Sequence, residues 1–274
     1  MTPFETAIMK IGERVSIFFL FLCFMLIVFV SPALSTTIIA IRTSNEIILA
    51  ADSLGKWVET GQNSSVCKIT QIENIFITFA GRISAEGINM TDIARDAFSG
   101  PGTIDDKIVR FNAKTMNNLG LIVNEDRKNK NLFNKLYNTK DRVIVTVLIA
   151  VVNDSYPTYF ALCYILASSI DQPVLIKVMD LKSISPLKQG YYESLVAGGD
   201  SFIKDLPDYN KPLPKSFNII ENVQGWITKE ARFAPDKVAL PVDILRLSPR
   251  HAEWVQHKKE CQEINETELL HSIK

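Results

Sequence analysis

The sequence predicts an α+β protein whose element order suits a four-layer αββα sandwich. Hydrophobic residues make up 47% of the 274 residues and charged residues 22%, enough apolar side chain to bury a sizeable core. Short β-branched runs bounded by turn residues alternate with stretches of helical apolar spacing. The elements come as strands, two helices, strands, a helix and a final strand, with no internal repeat and no second domain. Thirty basic residues balance thirty acidic ones, so the basic stripe of a general nucleic-acid binder is not expected.

The first 35 residues read as an export signal. Lys10 and Arg14 precede an apolar run of 16 residues, Val15 to Val30, interrupted only by Ser16. That length lies between a signal core of about 7–15 residues and a spanning helix of about 20. The flank favours the signal. Pro32 breaks a helix, and Ala33-Leu34-Ser35 puts small residues at the −3 and −1 positions of a signal-peptidase site. Cleavage after Ser35 leaves a chain that starts at Thr36 and is exported to a periplasm or secreted. The other reading is a protein anchored in the membrane through residues 15–30. Removal of Cys23 with the leader leaves Cys67, Cys163 and Cys261, an odd number, so at least one thiol stays free or pairs between chains.

From Thr36 the elements follow in order. Residues 36–42 form a β-branched strand, Thr43-Ser44-Asn45 a turn, and 46–53 a second strand so continuously apolar that both of its faces are expected to be buried. A third strand runs near 66–69 and a fourth over 75–80, ending at Gly81. Helical spacing then covers 83–98 and 105 to about 136, separated by the breaker Ser99-Gly100-Pro101-Gly102. Strands are expected over 142–152, 158–167 and 174–180, a helix over 216–232 and a last strand over 242–247. His251, His257 and Cys261 are expected on a helix, without a full set of zinc ligands. The domain is expected to span 36–254, followed by a polar, frayed helical tail over 255–274.

Three polar groups stand where chemistry would need them. A free N-terminal threonine is a nucleophile that carries its own base, because its α-amine can take the hydroxyl proton. That amine has a pKa near 7.7–8.0, so part of it is neutral at pH 7. Lys68, beside apolar neighbours, would lower the pKa of the hydroxyl and of the amine by its charge. Asp52, at the end of a buried strand, would balance that charge. The backbone N–H of Gly81 could face a developing oxyanion.

These residues resemble the proteasome β-subunit family of N-terminal-nucleophile hydrolases. The likeness lies in Thr36-Thr37-Ile38-Ile39-Ala40-Ile41, Ile47-Ile48-Leu49-Ala50-Ala51-Asp52-Ser53, Lys68-Ile69 and Phe79-Ala80-Gly81. The family places an aspartate 16 and a lysine 32 residues after its threonine, the spacings of Asp52 and Lys68 from Thr36. The resemblance implies the αββα sandwich of that hydrolase type. It implies Thr36 as nucleophile, its amine as base, Asp52 and Lys68 as the supporting pair and Gly81 as oxyanion donor. Ser53, Gly199, Ser201 and Asp236 are candidate supporting groups. Gly199 stands where the family has a serine, Asp236 is displaced by one residue, Val238 replaces a second serine, and Ser35 replaces the glycine of self-processing.

The expected function is therefore an exported threonine-type amide hydrolase, a protease or peptidase, unmasked by removal of its leader. It needs no cofactor and no metal. Its expected partners are a peptide or small amide substrate and no nucleic acid, with the membrane touched only through an uncleaved leader and a homo-oligomer compatible with the sequence. The competing readings are a non-catalytic exported protein that keeps the sandwich for binding or assembly, and an amidase of the same mechanism acting on a small amide.

Overall fold

The computed structural model describes residues 36–56, 63–85, 87–137, 142–198, 202–208 and 211–273. The leader read at 1–35, with its apolar run, lies outside them, as do Gly199 and Ser201. Among the described residues no helix is long and apolar enough to cross a membrane. The fold is mixed α+β, with two five-stranded antiparallel sheets, two small hairpins and five α-helices among the described residues.

The first sheet begins with β1 (Ile38–Thr43) and β2 (Ile47–Ala51). They form the expected hairpin, closed by Thr43, whose N–H donates to Glu46 O at 2.8 Å. Later segments flank the pair: β12 (Tyr192–Ala197) beside β1, β13 (Asp243–Ser248) beside β2, and β14 (His251–Gln256) at the edge. Every residue of β2 is buried. Alternation along the strand sends Ile47, Leu49 and Ala51 to one apolar cluster and Ile48 and Ala50 to another. A strand covered on both faces has no reason to alternate with polar residues, so the run reads as continuously apolar.

The second sheet has the order β11 (Ile176–Ser183), β10 (Thr158–Leu166), β9 (Val143–Val151), β6 (Ile75–Gly81), β5 (Ile69–Ile72). Phe76, Ala80, Leu148, Ala150, Tyr159 and Ala161 share a cluster with Ile38, Ala40, Leu49 and Ala51 of the first sheet. The intervening residues Ile75, Ile77, Val145, Val147 and Ile149 point the other way. They pack with α1 (Met90–Phe98), α2 (Ile104–Arg127) and α3 (Lys130–Tyr137). The outer face of the first sheet packs on α4 (Ile219–Phe233) through Val223, Trp226 and Ile227. The short hairpins are β3 (Leu54–Lys56) with β4 (Asn63–Ser65), and β7 (Ser84–Ala85) with β8 (Ile88–Asn89).

Several expected elements are revised. The helix expected over 83–98 starts only at Met90. Gly87, at φ +78°, belongs to the turn between β7 and β8, and the Asn89 side chain caps the helix by accepting Thr91 N–H at 2.8 Å. The helix expected over 105–136 is two helices. Thr103 and Asp106 form a capping box at the start of the first, and the chain turns at Lys128–Asn129 before the second. The strand β12 was not expected at all. The strand expected over 242–247 is not the last, because His251–Gln256 continues as β14 and not as a helix. The polar tail carries defined elements over its described residues, 255–273. It holds a turn around Lys258, a disulfide at Cys261 and α5 (Glu266–Ser272), capped by Asn265.

Candidate active site

The antiparallel registers line up one row across the first sheet. Ile38 faces Ala197 on one side and Ala51 on the other, and Ala51 faces Asp243. Thr36 precedes that row on β1, Asp52 follows it on β2, and Gly198 follows it on β12. Hairpin register thus brings residues 36 and 52 to the same end of the sheet. Lys68 reaches that end from the segment leading into β5.

The side chains meet there. Lys68 Nζ donates to Thr36 Oγ1 at 3.0 Å and to Asp52 Oδ1 at 2.7 Å. Asp52 is fully buried and Lys68 nearly so, while Thr36 is half-buried. Four donors hold the Asp52 carboxylate. Oδ1 also accepts Thr37 N–H at 2.8 Å, and Oδ2 accepts Leu54 N–H at 2.9 Å and Ala239 N–H at 3.4 Å. Asp52 N–H donates to Thr37 O at 3.1 Å, which fixes the backbone next to Thr36 from both sides. A buried carboxylate is stable when its lone pairs are filled this way. Burial is the strongest influence on Lys68 and pushes its ammonium below the ordinary lysine value, against the charge and hydrogen bond of Asp52. Lys258 pushes it the same way as burial, and Asp243 opposes.

Gly81 ends β6 at φ +121°, where a Cβ would fall 2.3 Å from Ile144 O, so only glycine fits. Alternate residues of an antiparallel ladder exchange hydrogen bonds. Arg82 N–H takes Ile144 O at 2.8 Å, so Gly81 N–H turns away from β9, toward the side of β5 from which Lys68 comes. Ser53 lies next to the site but is spent on the backbone. Its N–H and hydroxyl donate to Ala239 O at 3.1 and 3.2 Å. Asp236 is exposed in the turn after α4, and Val238 is buried against that helix. What this turn brings to the site is therefore the backbone of Ala239.

Reading the sequence missed four features here. Gly198 packs against Thr36, Ala239 holds Asp52, and a second buried pair, Lys258–Asp243 at 2.6 Å, flanks Lys68. Cys67, the neighbour of Lys68, forms a disulfide with Cys261, with Cα atoms 5.6 Å apart. The odd thiol is Cys163, to which the Thr146 hydroxyl donates at 3.7 Å. A visible trace of the second pair is Asp243, a carboxylate at the start of a strand whose next two residues are apolar. Among the described residues no group of three or more His, Cys, Asp or Glu is placed to hold a metal. His257 instead pairs with Glu263 and stacks on Trp254.

Comparison with known proteins corrects the family reading. No family model matches the chain, and no curated protein matches it. Its solved structural neighbours include Anbu (ancestral beta-subunit) from Yersinia bercovieri, at 14% identity and a TM-score of 0.44, covering 82% of this chain and 88% of that one. Another is the Anbu (Gly-1) mutant from Hyphomicrobium sp. strain MC1, at 10% identity and 0.41, covering 86% and 92%. The chain is similar to these proteins at a level that establishes neither family nor function. The membership in the proteasome β-subunit family drawn from the spacing of Thr36, Asp52 and Lys68 is therefore withdrawn, because three residues and their spacing describe a local site and not a lineage.

Proposed function

We propose that the protein is an exported hydrolase of amide bonds, in peptides or small amides, with Thr36 as its nucleophile. The observation that carries this reading is the contact of 3.0 Å between Lys68 Nζ and Thr36 Oγ1, made by a buried cation that Asp52 holds in place. A cation at that distance favours the alkoxide over the hydroxyl and so activates the oxygen.

The reaction needs the segment before Thr36 to be removed, at the signal-peptidase site after Ser35. The freed α-amine takes the Thr36 hydroxyl proton as Oγ1 attacks the amide carbon. The oxyanion is met by Gly81 N–H, an assignment supported by the direction of that group in the β6 ladder. Collapse breaks the C–N bond and expels the substrate's amine, which is protonated by the Thr36 α-ammonium, and leaves an ester on Thr36. Water, deprotonated by the Thr36 α-amine, then attacks the ester carbon, and breaking of the C–Oγ1 bond releases the acid as the α-ammonium returns its proton to Oγ1. The Cys67–Cys261 bridge supports export, since disulfides persist in oxidising compartments. The three apolar clusters, one between the sheets and one on each outer face, support a four-layer αββα arrangement.

The test is to recover the protein from cells that export it, sequence its N-terminus and treat it with a peptide electrophile that captures N-terminal threonine. The reading expects a chain starting at Thr36 and one adduct on that residue, absent from Thr36→Ala. A chain that retains residues 1–35, or an adduct elsewhere, overturns it.

A further inference from the structure

The segment that carries Lys68 is anchored from outside. Val66 N–H donates to Ser53 O at 2.9 Å, and Val66 O accepts from Lys258 Nζ at 2.7 Å. Cys67 is bridged to Cys261. The lysine and the second cysteine belong to one turn after β14, closed by Cys261 N–H on Lys258 O at 3.0 Å. Asp243 organises that turn. Its Oδ1 accepts Lys258 N–H at 3.1 Å, and its Oδ2 accepts Lys258 Nζ at 2.6 Å and lies 4.0 Å from Cys261 Sγ. Asp243 also stands in the row of the first sheet that Asp52 and Thr36 adjoin, opposite Ala51.

Burying an ion pair costs desolvation that an apolar pair would avoid, so stability alone does not explain Lys258 and Asp243 at 5% and 1% exposure. Their reach explains them. One end of the pair is fixed to the sheet that carries Thr36 and Asp52, and the other grips the backbone two residues before Lys68.

We propose that Asp243 and Lys258 are positioning residues for Lys68, forming with the Cys67–Cys261 bridge a clamp that holds the Lys68 ammonium against Thr36 Oγ1. The consequence for catalysis rests on the reading of Thr36 as nucleophile. The consequence for Lys68 itself rests on the geometry alone.

The two arms are tested separately in the protein as recovered after export. The first is the titration of Lys68, followed by NMR of its labelled side chain. The charged groups that face it are Asp52 from the end of β2, Asp243 from β13 and Lys258 from the turn after β14; removal of the leader would add the α-amine of Thr36, whose Oγ1 Lys68 contacts. Lys258→Met removes a cation and leaves the Asp243 carboxylate, so Lys68 should titrate at higher pH than in the parent. Asp243→Asn leaves the Lys258 cation, so Lys68 should titrate at lower pH. Lys258→Arg should restore the parent behaviour. The paired Cys67→Ser, Cys261→Ser variant removes no charge, so a displacement of the Lys68 titration there reports placement alone; no displacement in that variant, or none in Lys258→Met and Asp243→Asn, overturns the clamp.

The second arm is the rate of Thr36 acylation by the peptide electrophile. It should fall about tenfold or more in Lys258→Met and in the paired Cys67→Ser, Cys261→Ser variant, as expected when a catalytic neighbour loses its placement. Lys258→Arg should keep most of the rate. Should Lys258→Met not fold, the cysteine pair and Lys258→Arg decide this arm, and a parental rate in the cysteine pair overturns the clamp. A parent protein that never acylates at Thr36 overturns the hydrolase reading, while the Lys68 titration still decides the clamp.

Discussion

Gly198 lies against the carbonyl of Thr36. A methyl group built on Gly198 would come 1.5 Å from Thr36 O and 2.5 Å from its carbonyl carbon, and the residue holds φ at +94°. Side chain and torsion are both excluded. Gly198→Ala should therefore push the first strand aside, destabilise the protein by about 1–3 kcal/mol from the torsion alone, and slow Thr36 acylation on the order of a hundredfold. Thermal melting and adduct formation read the two effects. A variant that keeps both parental values would show that Thr36 is not held by this contact.

Lys68 predicts a pH dependence with a definite sign. Its pKa in the folded protein lies below the ordinary 10.5, chiefly because of burial. Between the two values the unfolded chain binds the extra proton, so stability rises with pH across that window. Urea midpoints measured as the pH is raised toward 10.5 should thus rise in the parent relative to Lys68→Met, in which this contribution is absent. Thr36 acylation should decline on the alkaline side at a pH below 10.5, as the ammonium beside Oγ1 is lost. Identical pH profiles in parent and variant would contradict both.

A separate buried network gives a control away from the site. Tyr137 OH donates to Asp126 Oδ2 at 2.6 Å, and Asp126 Oδ1 pairs with Arg82 Nη2 at 3.1 Å. Burial pushes the Tyr137 phenol well above its usual value, so it remains a donor. Tyr137→Phe removes one hydrogen bond from a buried carboxylate and should cost about 1–3 kcal/mol. The acylation rate of the folded variant should stay at the parental level, and a loss of rate would connect α3 to the site in a way the contacts do not explain.

The disulfide joins residues 194 apart in sequence. In the chain-entropy view a bridge closing so long a loop contributes on the order of 5 kcal/mol, by restricting the unfolded chain. Denaturation with and without a dithiol reductant should show a lower midpoint for the reduced protein. Equal midpoints would mean that the bridge does not form in solution.

The parts of the site legible in the sequence were those tied by short-range covalent order. Thr36, Asp52 and Lys68 sit on or beside β1, β2 and β5, whose apolar runs and turns are read locally, and hairpin register does the rest. The groups that escaped come from distant chain. Nothing near Lys258 says that its side chain will cross to Val66, and nothing near Cys67 says that Cys261 is its partner. β14 escaped because, as an edge strand, it is half polar, with Ala252 its one fully buried residue. Helix limits failed where capping overrode periodicity, at Asn89 and at Lys128–Asn129. The family reading failed for another reason, since the same few residues at the same spacing need not carry the same ancestry.

The strand order β12-β1-β2-β13-β14 has a consequence for when the site comes into being. The strands nearest Thr36 are synthesised first, yet their neighbours in the sheet arrive with the last third of the chain. Until β12 and β13 dock, both edges of the β1–β2 pair lack their sheet partners. Until the turn at Lys258 closes, Lys68 has no clamp. Such long-range pairings make for slow folding. A chain still emerging can display Thr36 long before Gly198, Ala239 and Lys258 have arrived, so the candidate site is a property of the finished fold.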